Sequence, residues 1–190
     1  MTDQLATLTH EGDVSIITLD DGKANVFSEN MSNTINSLLD DVPDDKGSLL
    51  ITGRQGLFSA GFDLKTIQGG DPKAAIEMTT AGFKLLSRIY SFPRPVIAAS
   101  SGHAIALGAF VLCCADYRIG AKGNFIVQAN ETRNGMSIPT PILEISKSRI
   151  LKNHWYRAIL NAEAYSISDS IDAGYLDEVV DPEELMVKAL

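Results

Sequence analysis

The sequence predicts an α/β fold, and three features carry that prediction. Short apolar strand candidates stand at Leu49-Leu50-Ile51-Thr52 and Val96-Ile97-Ala98-Ala99. Between such strands, apolar residues recur three and four apart, the spacing of a helix with one buried face. The order strand, turn, helix then repeats through the centre of the chain, as alternating α/β architectures do.

Residues 5–19 read as a β-hairpin, with LATLTH and VSIITL joined at Glu11-Gly12-Asp13. Asp20 to Asn25 is loop. Ser28 caps a helix whose apolar positions are Met31, Ile35, Leu38 and Leu39. Acidic residues 40–45 close it, before the strand at Leu49–Thr52. Asp71-Pro72 opens the next helix, with Asp as cap and Pro in the first turn. Its expected buried face is Ile76, Thr79, Phe83, Leu86 and Ile89. After the strand at Val96–Ala99, the turn Ser100-Ser101-Gly102 leads into an expected buried helix, Ala104 to Leu112. Tyr117-Arg118-Ile119 and Asn124 to Val127 read as strands. Residues 142–162 read as one or two helices with Asn153 as break and cap. Ser168-Asp169-Ser170 opens a short helix ended by Gly174. Val179-Val180 is a small strand, and Asp181-Pro182 starts a final helix.

The chain has 190 residues, 45% of them hydrophobic and 21% charged, a globular profile of one-domain size. A net charge of −8 argues against a general nucleic-acid surface, though local Lys and Arg can still bind an anionic small molecule. No apolar run reaches the about 18 residues a membrane span needs. The N-terminus MTDQLATLTHEGD lacks the basic and apolar regions of a secretory signal. Cys113 and Cys114 are adjacent in an apolar stretch, match no metal spacing, and read as buried thiols in a reducing compartment.

Two stretches carry candidate chemistry. GRQGLFSAGFDLK, residues 53–65, places glycines and small residues after a strand, where the backbone can be approached closely. RPVIAASSGHAIALGAF, residues 94–110, places small residues at a strand-to-helix junction. The first N–H groups of a helix lack intrahelical partners and can hold developing negative charge. A second reading of both stretches is tight packing alone.

Three segments together resemble the crotonase (enoyl-CoA hydratase/isomerase) superfamily: FSAGFDLK (58–65), PRPVIAASSGHAIALGAF…CADYRIG (93–120), and NETRNGM (130–136), with SISDSIDAGYLDEVV (166–180) in support. The resemblance implies a crotonase-like spiral of repeated ββα units with surrounding helices. It implies one domain over 1–190, with the family's C-terminal helical part shortened or missing. It also implies an acyl-CoA thioester as substrate, stabilisation of its enolate by two backbone N–H groups, and a homotrimer or dimer of trimers. By position those donors are Phe62 and Leu107, the latter beside Gly108, and Glu131 is the acid/base. The implied substrate-binding positions are Lys23, Ala24, Ala60, Gly61, Asp63, Leu64, Lys65 and Phe110. Lys65, Arg54 and Lys23 are candidates for the CoA phosphates and equally ordinary surface charges. No metal and no separate cofactor is implied, CoA arriving with the substrate, and the expected location is the cytoplasm.

Besides its shortened C-terminal part, the chain departs from the family pattern in two places. Family members carry glycine around the second donor, where this chain reads Ala106-Leu107-Gly108, and the Leu107 side chain is expected to narrow the approach. Hydratases of the family carry a glutamate where Phe110 stands, so Glu131 is the only carboxylate expected at the reacting carbons. One carboxylate suits isomerisation, in which a proton leaves one carbon and returns at another. In an apolar pocket lined by Phe110 and Leu107 its pKa is expected to be raised. The other reading of Glu131 is a solvated loop residue paired with Arg133. His103 is either an acid–base group or a ring bonded to local backbone, and Asp63 bonds turn amides. An enoyl-CoA hydratase/isomerase-type enzyme is the expected function. The alternatives are a catalytically weak acyl-CoA-binding member, and a thioester hydrolase or carbon–carbon lyase that uses His103.

Overall fold

The computed structural model describes residues 4–190; Met1–Asp3, part of the N-terminal reading above, lie outside the described residues. β1 (Ala6–Glu11) and β2 (Val14–Leu19) form the expected antiparallel hairpin, with Gly12 at φ +58° in the turn. β3 (Val26–Phe27) leads into α1 (Glu29–Asp40), where the Ser28 hydroxyl accepts the Met31 N–H at 3.1 Å. Met31, Ile35 and Leu39 are the buried stripe of that helix.

Three strand–strand–helix turns follow. The first comprises β4 (Ser48–Gly53), β5 (Gly56–Ser59), the short β6 (Gly61–Phe62), α2 (Leu64–Gln68) and α3 (Pro72–Tyr90). The second is β7 (Val96–Ser100), β8 (Gly102–Ile105) and α4 (Leu107–Cys114). The third is β9 (Tyr117–Ala121), β10 (Ile126–Gln128), α5 (Thr140–Arg149) and α6 (Lys152–Trp155), which runs into a wide π turn, Tyr156–Leu160. β11 (Tyr165–Ser166), α7 (Asp169–Ala173), β12 (Glu178–Val180) and α8 (Leu185–Ala189) complete the described chain.

In every turn the first strand joins one sheet and the second joins another. The larger sheet has the order β1-β2-β4-β7-β9-β12 and is parallel from β2 onward. The smaller runs β11-β10-β8-β5, while β3 and β6 pair in parallel by themselves. This stacking of ββα turns is the spiral that the resemblance implied. α4 passes through its middle with every residue from Leu107 to Cys114 buried. A helix that is apolar all round has no solvent face to keep. A second, smaller core lies on the far face of the larger sheet, where Leu185 and Ala189 of α8 cover Ile16, Leu50, Ala99 and Ile119. Among the described residues no helix is long and apolar enough to cross a membrane.

Three sequence expectations are corrected. Helix does not begin at Ala104, because Gly102–Ile105 is strand β8, pairing in parallel with β5 and β10. Ile76 is 64% exposed, and the buried face of α3 is Met78, Gly82, Leu85, Leu86 and Ile89. Asn153 lies inside α6; the break falls at Ile150 and Leu151, where the Leu151 N–H is drawn off to the Ala173 carbonyl at 3.0 Å.

Candidate active site

The junction of β8 and α4 is made by one strained residue. Ala106 sits at φ 50°, ψ −121°, a conformation a residue with a Cβ rarely adopts and that costs on the order of 1–3 kcal/mol. The sharp bend lets α4 start at Leu107 directly from the strand. Among the described residues the Leu107 N–H meets no acceptor, as expected for the first turn of a helix.

Against this bend lies the FSAGFDLK segment. Gly61 has φ +85°, and a Cβ built on it would sit 2.5 Å from Ala106 Cβ, 2.7 Å from the Ile105 carbonyl oxygen and 3.2 Å from the Leu107 nitrogen. Only glycine lets the two main chains run this close, and so brings Phe62 beside Leu107. A Cβ on Gly108 would meet Ser59 backbone oxygen at 2.9 Å. Gly82 of α3 completes the arrangement, since a Cβ there would lie 2.5 Å from the Phe62 ring and 3.0 Å from Leu107 Cδ2.

Asn25 pins the neighbouring loop. It is fully buried at φ 48°, donates through Nδ2 to the Leu19 and Phe58 carbonyls at 2.9 and 3.2 Å, and accepts the Asp21 N–H at 3.0 Å. Its carbonyl takes the Ser59 hydroxyl at 2.6 Å, and that same Oγ accepts the Gly61 N–H at 3.0 Å. The Ala60 N–H donates to the Ala24 carbonyl at 3.0 Å, so Ala24 and Ala60 do meet. Arg54 donates to the Lys23 carbonyl. Asn25 and Ser59 were not singled out from the sequence, where an Asn in a loop and a Ser in a small-residue run carry no mark of burial.

Glu131 is 6% exposed and faces a cavity of about 480 Å³ with Phe62, Ile67, Phe83, Met136 and Ile142 on its walls. Its backbone carbonyl accepts the Asn134 and Met136 N–H groups at 3.0 and 2.9 Å, which folds NETRNGM into a tight turn closed by Gly135 at φ 69°. Burial pushes the carboxyl up to about 7, with a bond from its own backbone N–H pulling the other way. Arg133 is exposed, and among the described residues Glu131 forms no ion pair. The solvated, Arg-paired reading of Glu131 therefore does not hold.

The other expected positions divide. Leu107 and Phe110 have no exposed surface, so their side chains cannot wall the cavity as expected; they fill the core instead. The Leu107 side chain turns to Gly82, where its Cδ2 would lie 3.0 Å from an added Cβ. Ile67, Phe83 and Met136 wall the cavity in their place, the first two by the helix face that turns inward and Met136 by the turn that follows Glu131. Asp63 caps α2, accepting the Lys65 N–H and the Thr66 hydroxyl, each at 3.0 Å. Leu64, Lys65 and Lys23 are exposed. His103 Nδ1 accepts the Ile126 N–H at 3.1 Å, which ties the ring to backbone.

Comparison with known proteins agrees with this architecture. The family model described as enoyl-CoA hydratase/isomerase matches residues 9–190. Peroxisomal enoyl-CoA delta isomerase 2 of Arabidopsis thaliana is 28% identical, over 97% of this chain and 81% of its own length. The structure of an enoyl-CoA hydratase/isomerase family protein from a Pseudomonas superposes with a TM-score of 0.94 at 36% identity, over 98% of this chain and 81% of that one. A Mycobacterium tuberculosis enoyl-CoA isomerase gives 0.92 at 38%, over all of this chain and 82% of that one. The match to mitochondrial enoyl-CoA delta isomerase 1 of Mus musculus spans 50% of that protein. With a spiral of the same build and a family match over nearly its whole length, this chain belongs to the enoyl-CoA hydratase/isomerase family.

Proposed function

We propose that the protein shifts a carbon–carbon double bond along an acyl-CoA thioester, the isomerase chemistry of its family. The observation that carries this reading is Glu131, a buried carboxyl without an ionic partner among the described residues, in an apolar cavity that also holds Phe62. A carboxyl poised near neutrality can take a proton from the carbon beside a thioester and return it two carbons further on. The negative charge that builds on the thioester oxygen between those steps is met by the Phe62 and Leu107 N–H groups. Such a donor is typically worth about 10²–10³ in rate. CoA comes as part of the substrate, its adenine end against Lys23, Ala24 and Ala60, and no metal or further cofactor takes part. Leu107 has no exposed surface, so the thioester oxygen reaches its N–H only after the atoms covering it move aside.

Hydration asks for a second carboxyl to manage the water. Phe110, at the family position for it, is apolar and sealed in the core. The lyase and hydrolase readings need His103 free, whereas its Nδ1 is bonded to Ile126. Assembly as a trimer or dimer of trimers belongs to the same proposal, with Leu151, Tyr156 and Leu160 offering exposed apolar surface. The cytoplasm is its proposed location.

The test is turnover of a 3-enoyl-CoA to its 2-enoyl isomer, followed beside hydration of a 2-enoyl-CoA. Isomerisation is expected to dominate, and Glu131→Gln to reduce it by about 10²–10⁴. Hydration as the faster reaction, or a Glu131→Gln variant as active as the parent, would remove the proposal. Tight CoA-ester binding with no turnover would favour a binding protein instead.

A further inference from the structure

Among the described residues three that are not glycine have positive φ: Asn25, Ala106 and Ala162. A single side chain and its own backbone join the last two. Gln128, the final residue of β10, is 6% exposed. Its backbone carbonyl accepts the Ala106 N–H at 2.7 Å, and its side-chain Nε2 donates to the Ala162 carbonyl, also at 2.7 Å. Ala162, at φ 50°, follows the π turn closed by the Asn161 N–H on the Tyr156 carbonyl at 3.0 Å.

A buried primary amide is costly unless it is bonded, so this side chain stays in place only while it keeps its bond to the Ala162 carbonyl. A strained residue such as Ala106 keeps its conformation only where its surroundings over-determine it. Gln128 is also paired in register with Ile105, and three residues beyond it stands Glu131. One residue thus touches the bend that presents the Leu107 N–H and begins the short link to the carboxyl. The side-chain amide anchors that point to Ala162, on a segment that makes no other contribution to the cavity.

We propose that Gln128 is a positioning residue, whose bond to Ala162 fixes the separation between the Leu107 N–H and the Glu131 carboxyl. The inference rests on the proton-transfer reading of Glu131 above. It predicts a loss in turnover rather than in substrate binding, because the groups that hold CoA lie on other elements. A displacement of about 1 Å between reacting groups is worth as much as a hundredfold in rate.

The experiment compares Gln128→Met, which keeps the bulk without the donor, with Gln128→Glu. Buried against a carbonyl oxygen, the glutamate is held protonated and restores a donor. Two readouts are used: kcat and KM on a 3-enoyl-CoA, and the titration of the Glu131 carboxyl followed directly by carbon NMR. In Gln128→Met, kcat should fall about tenfold or more with KM within about threefold. The Glu131 midpoint should move down from about 7 as the loosened loop admits water. Gln128→Glu should keep kcat within about threefold of the parent at pH 6 and lose it as pH rises and its own proton leaves.

Gln128→Met with parental kcat and an unmoved Glu131 titration overturns the proposal. Equal losses in both variants also overturn it, since the effect would then be shape and not the donor. Should Gln128→Met fail to fold, the pH-dependent loss in Gln128→Glu, at constant circular dichroism, carries the test alone. Glu131→Gln serves as reference: parental turnover there sinks the proton-transfer reading, while the titration readout in the Gln128 variants still decides the role of Gln128.

Discussion

Glu131 shows how one side chain's chemistry depends on what is packed around it. The sequence offers a glutamate in a polar loop with an arginine two residues on, and composition alone would leave both in water. The structure turns the carboxyl inward because its backbone carbonyl gathers two amides of its own turn. Desolvation then raises its pKa to about 7. A base must be ionised to remove a proton, so the free enzyme is expected to gain kcat/KM with pH up to about 7 and level off above it. Rates measured from pH 5 to 9 on a 3-enoyl-CoA check this. A limb near 4.5 would mean a carboxyl open to water. Phe110 was legible as a residue that cannot serve as a base, by its chemistry alone, whereas His103 stood open between acid–base group and backbone-bonded ring until the Ile126 N–H was found on its Nδ1. Gln128, Asn25 and Ser59 were not legible, because what distinguishes them is burial and bonding across 30 or so residues, which no local pattern encodes.

At the scale of elements, periodicity found the helices but misplaced a boundary and a buried face for definite reasons. Ala104 and Ile105 are small or apolar and fit helix or strand equally; the parallel partners β5 and β10 decide for strand. On α3, hydrophobic spacing counts Ile76 and passes over Gly82, since a glycine adds nothing to an apolar stripe. Yet Gly82 seats the Phe62 ring and the tip of Leu107. Gly82→Ala should therefore push the ring from its T-shaped contact with Phe83, now at 5.7 Å between centroids, and into the cavity. Overpacking of this kind costs about 1–3 kcal/mol, to be read as a lower urea midpoint, with KM rising more for long acyl chains than for short ones. Gly61→Ala is expected to be more severe, because its Cβ would meet backbone that cannot rotate away, at a φ that disfavours any side chain. Turnover should be lost while Gly70→Ala, in open space at a similarly positive φ, leaves it intact. Equal activity in the Gly61 and Gly70 variants would mean that Gly61 does not set the approach of the two main chains.

For the whole molecule the same buried groups set how stability varies with pH, and they pull in opposite directions. Arg118, 6% exposed, binds Asp177 through Nε and Nη2, and so ties β9 to the segment entering β12. Burial alone would raise the Asp177 carboxyl, but the hydrogen bonds and charge of Arg118 outweigh it and hold it below its ordinary 3.8. A depressed carboxyl contributes stability that is present above the unfolded value and lost as pH falls through the folded one. Glu131 is the reverse case. Its proton is held more tightly in the folded chain, so its contribution is complete below 4.5 and lost as pH rises to about 7. A difference of that size corresponds to about 3 kcal/mol. Above the isoelectric point near 4.8 a growing negative charge, −8 at neutrality, adds self-repulsion on the same side. Stability should thus peak near pH 5 and decline both ways. Urea midpoints of the parent and Glu131→Gln, taken from pH 3 to 9, separate the contributions. The two proteins should fall together on the acid side, where Asp177 governs. They should diverge with rising pH until the variant is the more stable by about 3 kcal/mol at pH 8, inactive but relieved of a buried charge. Parallel curves across the whole range would show that the carboxyl meets water in solution, and the cavity reading of Glu131 would go with it.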